Sequence, residues 1–251
     1  MEPGDRPSLA FAEHALPAPL LRALGRVFAQ RLKGCMLVGG TALAGFYAGH
    51  RRSDDIDLFT MGEEAQRAAV LAVRALELDG VRVEPRQDSD VYFRALCGLD
   101  GHAFTVDVSA APAAFRAGGS AELPGGIVVA DLDLLLTLKT AALASRCSEK
   151  DLYDLAWILE RRKTLSLADV VAAACRFDAG ADAEGLLISL TGTRPDKEAC
   201  GFGLRGASKD VVFRKITRFK AALTRGLKVL AKEGPPLPIA ELLRRARRLG
   251  P

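Results

Sequence analysis

The chain has 251 residues and a mass of 26.7 kDa, which suffices for one large domain or two small ones around a buried core. It is 49% hydrophobic and 26% charged, a composition that argues against disorder. Its most apolar tract, residues 127–144, contains two aspartates and a lysine, so we expect no membrane span. The sequence lacks a signal-peptide pattern at its start and any CxxC pair, which predicts a cytoplasmic protein.

The net charge of +4 is unevenly distributed. Residues 205–251 contain thirteen lysines and arginines against three acids, a net of +10, so residues 1–204 carry −6. A basic end on an acidic body favours a polyanionic partner, although a solvated helical surface would give the same pattern.

The first part of the chain alternates predicted helices and strands. Apolar residues at helical spacing indicate helices, and short apolar or alternating runs indicate strands. Leu99-Asp100-Gly101 separates the last two strands and is typical of a hairpin. Helices are predicted over residues 18–33, 41–47 and 63–78, and strands over residues 35–38, 56–59, 81–84, 91–97 and 103–108.

Beyond Pro124-Gly125-Gly126 the strand patterns nearly disappear. We therefore predict a boundary near residue 125, between an α/β part of residues 1–125 and a helical part of residues 126–251. Further helices are predicted over residues 131–146, 149–162, 168–177, 183–190, 209–232 and 239–249.

Three aspartates share one pattern. In Asp55-Ile56-Asp57-Leu58, the strand period places Asp55 and Asp57 on one face, with Cα atoms about 6.6 Å apart, where two carboxylates could converge on a hard divalent ion. Asp107 alternates with apolar residues in the same way on another strand. Three acids on adjacent strands suit Mg²⁺ ions that orient a triphosphate. The alternative is solvated residues on a half-exposed strand.

The turn between the first strand and the following helix could bind phosphate. Gly39 and Gly40 lead into Thr41 and offer backbone N–H groups that no side chain blocks, although a plain strand-to-helix turn would look alike. Arg52 and Ser53 precede the acidic strand closely enough to reach a triphosphate. For Arg51 an ordinary loop position is an equally good interpretation.

These residues carry a resemblance. Leu37-Val38-Gly39-Gly40-Thr41-Ala42-Leu43 and Arg51-Arg52-Ser53-Asp54-Asp55-Ile56-Asp57-Leu58-Phe59 together resemble the first motif of the polymerase-β-type nucleotidyltransferases, and more narrowly their AbiEii/AbiGii toxin branch. That branch also carries a lysine on a later helix and then a basic-Asp-x-x-Asp helix, here Lys139 and Lys150-Asp151-Leu152-Tyr153-Asp154-Leu155. The resemblance covers roughly residues 36–160.

The helical motif residues also have structural interpretations. Lys139 is the only charge between Asp133 and Arg146, so it must either reach water or meet an anion. As an isolated charge on an apolar helix, it should be removable at little cost or even with a gain in stability. Asp151 stands where a helix cap by Ser148 would place it, and Asp154 is therefore the better functional candidate.

The resemblance implies a polymerase-β-type nucleotidyltransferase fold, an α/β part with a small mixed sheet followed by a helical C-terminal half. It implies Mg²⁺-dependent transfer of a nucleoside monophosphate from an NTP to an acceptor hydroxyl, with release of pyrophosphate. Members of the branch act as toxins on RNA, notably tRNA ends, or on proteins, and a cognate antitoxin is encoded alongside. A non-catalytic nucleic-acid-binding relative and a modifier of small molecules are the alternatives.

The resemblance also implies roles for individual residues. The metal ligands would be Asp55, Asp57 and Asp107, and with Lys139 and Asp154 these would form the catalytic set. Nucleotide binding would involve Gly39, Gly40, Thr41, Arg52, Ser53, Lys139 and Asp151.

The predicted helix over residues 209–232 has two distinct sides. At 100° per residue its apolar residues form one stripe, and a basic stripe lies opposite. Cations at that spacing suit the phosphate backbone of RNA, and the scarcity of aromatic residues indicates readout of shape rather than sequence. A solvated helix or a docking face for an acidic antitoxin remains possible. The predicted RNA-binding residues are Arg214, Arg218, Arg225, Lys228 and Lys232.

Overall fold

The computed structural model describes residues 5–204, 206–232 and 237–248. The chain divides into two compact units, Met1–Leu135 and Leu136–Pro251. The first unit therefore ends ten residues beyond the predicted boundary at 125. The reason is a short strand, Val128–Ala130, which pairs with the strand Cys35–Val38 of the same unit.

The first unit is built on a mixed sheet, which confirms the predicted α/β class. Its strands are β1 (Cys35–Val38), β2 (Asp55–Thr60), β3 (Arg82–Asp88), β4 (Tyr92–Leu99), β5 (His102–Ala110), β6 (Ser120–Glu122) and β7 (Val128–Ala130). The order in the sheet is β3-β4-β5-β2-β1-β7-β6. Strands β2 and β5 are parallel, as are β1 and β7, and the other neighbours are antiparallel. The helices are α1 (Leu9–Ala15), α2 (Ala18–Ala29), α3 (Gly39–Leu43), α4 (Glu63–Ala75) and α5 (Pro112–Ala117).

The two central strands β2 and β5 separate their side chains by face. Ile56 and Leu58 on β2, and Val106 and Val108 on β5, are at most 1% exposed. Helix α4 packs against β1, β2 and β5. The alternate positions on both strands are only half-buried, so one face of the sheet is core and the other remains accessible.

A tight hairpin joins β4 to β5, as predicted. Leu99 pairs with His102, and the two residues between them, Asp100 and Gly101, have φ angles of 50° and 75°. Positive φ at both positions is what a two-residue hairpin turn of this kind requires, and Asp-Gly tolerates it.

The second unit consists of helices packed around a central one. Helix α6 (Leu132–Ser145) begins in the first unit and continues into the second. The others are α7 (Glu149–Leu159), α8 (Leu167–Phe177), α9 (Ala183–Gly192), α10 (Lys209–Leu230) and α11 (Ile239–Arg248). Helix α10 contacts α7, α8, α9 and α11, and its apolar stripe is largely buried, as predicted. It ends at Leu230, so Lys232 lies beyond it, and Leu249 lies outside the described residues. In the part of the chain that the structure describes, no helix is long and apolar enough to cross a membrane.

Candidate active site

In the glycine turn, the backbone at Gly39 lies directly against the carboxylate of Asp57. Strand β1 leads directly into α3 at Gly39, whose φ is +70°. A Cβ atom at Gly39 would lie 2.0 Å from Oδ2 of Asp57, so no residue with a side chain fits there without moving the carboxylate. The helix begins two residues earlier than predicted and continues as a buried π-helical turn, Ala44–Ala48.

The loop before β2 is tied to the start of α3. The Thr41 hydroxyl lies 3.0 Å from Oγ of Ser53 and also contacts the carbonyl oxygen of Asp55. A Cβ atom at Gly40 would lie 2.9 Å from the same Ser53 oxygen. The structure thus brings together Gly39, Gly40, Thr41 and Ser53, four of the predicted nucleotide-binding residues.

The two neighbouring arginines have different environments. Arg51 is 2% exposed and donates from Nη1 to the Arg52 carbonyl at 2.8 Å. Its Nη2 would lie 2.4 Å from a Cβ atom at Gly40, so the guanidinium fills the space beside the glycine turn. Arg52 is exposed. The sequence analysis favoured Arg52, which matches the motif of the resembling branch, and left Arg51 open between a triphosphate contact and an ordinary loop position.

Three aspartates lie on the accessible face of the sheet, as predicted. In the parallel register of β2 and β5, Asp57 stands opposite Asp107, and Asp55 stands opposite Thr105. Adjacent strands are about 4.8 Å apart, so Asp57 and Asp107 are close neighbours of like charge. The Thr105 hydroxyl, which sequence reasoning missed, donates to Oδ1 of Asp55 at 2.6 Å.

Asp107 has two partners on β4 that the sequence analysis also missed. The Tyr92 hydroxyl donates to Oδ1 of Asp107, and Nη1 of Arg94 lies 3.9 Å from that oxygen. Burial and the bond to Asp107 raise the pKa of Tyr92, and the charge of Asp107 raises the pKa of Arg94. Oδ2 of Asp107 has no hydrogen-bond partner among the described residues.

The donor atoms suit a divalent cation, but they do not form a finished cage. Carboxylate and hydroxyl oxygens are the ligands that hard cations prefer. Within the described ranges, no group of three or more His, Cys, Asp or Glu side chains is arranged to hold a metal. Oδ1 of Asp55 and Oδ1 of Asp107 are bound to protein donors instead. The three-carboxylate metal site therefore stays a prediction.

In the second unit, Lys139 joins both aspartates of the helical motif. Its Nζ lies 2.8 Å from Oδ1 of Asp151 and 2.8 Å from Oδ2 of Asp154. The three side chains are 8%, 2% and 0% exposed. The lysine neither reaches water nor stands alone, so the premise that it is an isolated charge is wrong, and the expectation that it could be removed at little cost loses its basis.

Ser148 caps the start of α7, as predicted, through a bond from Asp151. The backbone N–H of Asp151 donates to Oγ of Ser148 at 3.1 Å, and that hydroxyl lies 2.6 Å from Oδ2 of Asp151. Nε of Arg146 lies 3.3 Å from the same carboxylate oxygen. Burial acts to raise the pKa of Asp151, but Lys139 and Ser148 outweigh it and hold the pKa below its usual value.

The fold of this chain is similar to that of solved structures of bacterial proteins. The chain is similar to MenT4, a nucleotidyltransferase toxin from Mycobacterium tuberculosis H37Rv, with a TM-score of 0.54, 16% identity and coverage of 94% of this chain and 91% of that one. It is also similar to JHP933 from Helicobacter pylori, with a TM-score of 0.52, 16% identity and coverage of 90% and 97%. At this identity the likeness shows the fold alone.

Comparison of the sequence with known families assigns the chain to one family. Residues 22–226 match the family described as "Nucleotidyl transferase AbiEii toxin, Type IV TA system", so the chain belongs to the AbiEii family of toxin nucleotidyltransferases. The protein aq_aa25 of Aquifex aeolicus (strain VF5) is 33% identical over 134 residues, which are 53% of this chain. The matched region spans 61% of that relative's length.

Proposed function

We propose that this protein transfers a nucleoside monophosphate from an NTP to an acceptor hydroxyl, releases pyrophosphate and thereby acts as a toxin. One observation carries the proposal. In a chain of the AbiEii family, Asp57 stands beside Asp107 on the accessible sheet face and directly against Gly39. Two adjacent carboxylates repel each other, and a fold that retains them is suited to a cation.

The metal would be Mg²⁺, held by Asp55, Asp57 and Asp107. When bound, Mg²⁺ neutralises charge on the triphosphate and on the leaving group. One oxygen of Asp55 accepts from Thr105, and the other oxygen would contact Mg²⁺. Asp107 offers Oδ2, the oxygen opposite the one that Tyr92 and Arg94 hold.

The triphosphate would lie along the glycine turn. Gly40 and Thr41 present backbone N–H groups at the start of a helix, and Ser53 adds a hydroxyl that Thr41 positions. Arg51 would supply a fixed positive charge beside Gly40, and the exposed Arg52 a mobile one. Bidentate guanidinium contacts are well suited to phosphate.

In the reaction the acceptor oxygen forms a bond to the α-phosphorus, and the bond from that phosphorus to the bridging oxygen of pyrophosphate breaks. The acceptor hydroxyl loses a proton. We assign its uptake to the carboxylate of Asp107, because Oδ2 has a second lone pair beyond the one that would face Mg²⁺, whereas the other oxygen already accepts from Tyr92.

Lys139, Asp151 and Asp154 would contribute chiefly by positioning. Contact between Lys139 and a phosphate would require the lysine to leave two carboxylates at 2.8 Å. We therefore assign the lysine the role of holding α6 against α7. Asp154 would orient the acceptor or the nucleotide only if this cluster opens.

Structured RNA, with tRNA ends foremost, is the acceptor that the charge pattern supports best. Arg214, Arg225, Lys228 and Lys232 are exposed along and just beyond α10. Arg218 is half-buried, so it contributes less to this surface than predicted. The same basic surface suits an acidic antitoxin, which family membership leads us to expect as a partner.

The transfer reaction is tested with purified protein, Mg²⁺, each labelled NTP in turn, total RNA and lysate protein. Asp57→Asn should lower transfer by at least about a hundredfold, because it removes a charge that acts on the reacting groups. Asp54→Asn is the matched control, since Asp54 is an exposed neighbour outside the strand face. Equal transfer by the two variants would contradict the proposal.

The acceptor is tested by charge reversal on α10 and just beyond it. Replacing Arg225, Lys228 and Lys232 by Glu should cripple transfer to RNA and flatten its dependence on salt, because fewer phosphates are neutralised. Reversal of three scattered exposed cations, Lys33, Arg116 and Arg176, is the control with the same total charge change. Equal RNA modification by both triple variants across a salt series would point to a protein or a small molecule as acceptor.

A further inference from the structure

The second unit contains a pocket that has no part in the chemical step proposed above, although Arg214 and Arg218 of the predicted RNA-binding set line it. It lies among α7, α10 and α11 and has a volume of about 470 Å³. Its charged lining residues are Glu160, Arg214, Lys215, Arg218 and Arg247. Four cations around one carboxylate make this an anion-attracting site.

Most of that positive charge is uncompensated. Nζ of Lys215 lies 3.2 Å from Oε1 of Glu160, so these two charges balance. Arg214, Arg218 and Arg247 have no carboxylate within ion-pair distance among the described residues, which leaves the pocket a net charge of +3.

One residue that lines the pocket has a donor without an acceptor. Nε of Arg218 is buried and has no hydrogen-bond partner within the described residues. A buried donor without an acceptor is unfavourable, and a ligand oxygen that draws the Arg218 guanidinium toward the pocket would relieve that cost. The half-buried position of Arg218, unlike that of the exposed Arg225 on the same helix, is thus suited to a bound anion.

The rest of the lining is apolar and determines the kind of anion. Ala156, Phe219, Leu243 and Ala246 contribute to the wall. The volume lies within the range of about 300–1,000 Å³ typical of small-molecule sites, and it exceeds what a single phosphate fills. A ligand with a phosphate at one end and a flat, weakly polar body at the other fits these two surfaces.

The pocket and the Lys139 cluster use different sides of α7. At 100° per residue, Ala156 lies about 200° from Asp154 around the helix axis, and Glu160 about 240°. Asp154 points to Lys139, whereas Ala156 and Glu160 line the pocket. A ligand in the pocket therefore does not need the buried ion cluster to open.

We propose that this pocket binds a nucleoside phosphate, either free or as the terminal nucleotide of an RNA strand. Arg218 and Arg247 contact the phosphate from two different helices, and the apolar wall contacts the base or sugar. This site is additional to the nucleotide site proposed on the sheet, and its binding does not depend on transfer.

The test measures binding by calorimetry in the Asp57→Asn background, so that failure of the transfer reaction cannot affect it. The probes are AMP, inorganic phosphate and a 5′-phosphorylated RNA tetranucleotide. Arg218→Gln and Arg247→Gln should each weaken AMP or tetranucleotide binding by roughly tenfold or more, the loss expected for a charge-assisted hydrogen bond. Arg176→Gln, at an exposed position on α8 outside the pocket and outside the predicted RNA-binding set, should have no such effect. The Arg218 Nε–H resonance should also shift when ligand is added.

The results distinguish an RNA end from a free nucleotide as the ligand of the pocket. Tighter binding of the tetranucleotide than of AMP, with the same loss in both pocket variants, would identify an RNA end, and equal binding would identify the free nucleotide. Three results would overturn the proposal: no binding of AMP or of the tetranucleotide, equal binding by the pocket variants and Arg176→Gln, or inorganic phosphate binding as tightly as AMP. Because Arg247 is exposed, its variant keeps the test valid even if Arg218→Gln fails to fold.

Discussion

This protein contains two groups of three charged residues in which aspartates lie close together, and the repulsion between their charges is accommodated differently in each group. On the sheet, Asp57 and Asp107 stand side by side on an accessible face. In the helical unit, Asp151 and Asp154 are buried around the ammonium of Lys139. The helical group is closed around a buried ammonium, whereas the sheet group, with Arg94 beside Asp107, lies on an accessible face where a cation from solution can reach it. We infer that the helical group is mainly structural and that the sheet group binds ligand.

Loss of Lys139 should be the most damaging change to stability. Lys139→Met removes the ammonium that two buried carboxylates share and leaves only Arg146 beside Asp151, and breaking a buried pair in this way costs about 3–5 kcal/mol. Lys150→Met, at an exposed position on α7, should change the free energy of unfolding by no more than about 0.5 kcal/mol. Urea denaturation of both variants gives the comparison.

A compensating variant sharpens that result. Replacing Asp151 and Asp154 by Asn in the Lys139→Met background should recover part of the lost stability, because neutral amides are cheaper to bury than unpaired carboxylates. If Lys139→Met alone proved as stable as the parent, the structural interpretation of this cluster would be wrong.

The sheet group should respond to a change in shape. Gly39→Ala and Gly80→Ala both place a side chain at a positive φ, +70° and +79°, which costs about 1–2 kcal/mol. Only at Gly39 does the new Cβ meet Asp57, since Gly80 has no neighbouring atom within 4 Å. Gly39→Ala should therefore lose about 1–3 kcal/mol more in denaturation and also lose transfer activity. Equal losses in both variants would show that Asp57 is not held against the turn.

The smallest expected effect is a change in how the stability of the protein depends on pH under acidic conditions. The pKa of Asp151 is lower in the folded protein than its unfolded value of about 3.9. Its contribution to stability is therefore fully present above that value and is lost as the pH falls through the lower folded-state pKa. Asp151→Asn should accordingly lose less stability than the parent between about pH 4 and pH 2. Parallel pH curves for the two proteins would contradict the ion pair.

The sequence predicted the central strands and the face that carries the acids. Alternation of polar and apolar residues determined both, because one face of β2 and β5 is core. The short strands β6 and β7 and the helices α1 and α5 were missed, since segments of three to seven residues carry too little periodicity. The partners of Asp107 were available from the hairpin: counting back from the Leu99–His102 pair places Arg94 opposite Asp107.

The error about Lys139 has a different cause. Its helix looks apolar in sequence, and no local pattern reveals that another helix brings two carboxylates to the same point. The burial of Arg51 rather than Arg52 is likewise a consequence of tertiary packing against Gly40. Contacts between distant segments can be predicted from the sequence only where the register of paired strands determines which residues stand opposite each other.

The register that pairs Asp57 with Asp107 also bears on when the site forms during folding. These residues are 50 positions apart in the chain, and a parallel pair cannot close through a short turn. The β4–β5 hairpin, with two residues in its turn, and the contact of Lys139 with Asp151, twelve positions apart, involve far shorter loops. Because long loops close more slowly, the hairpin should form first and deliver Asp107 already paired with Arg94. The chain would then acquire its chemical capability in one of the last steps of folding.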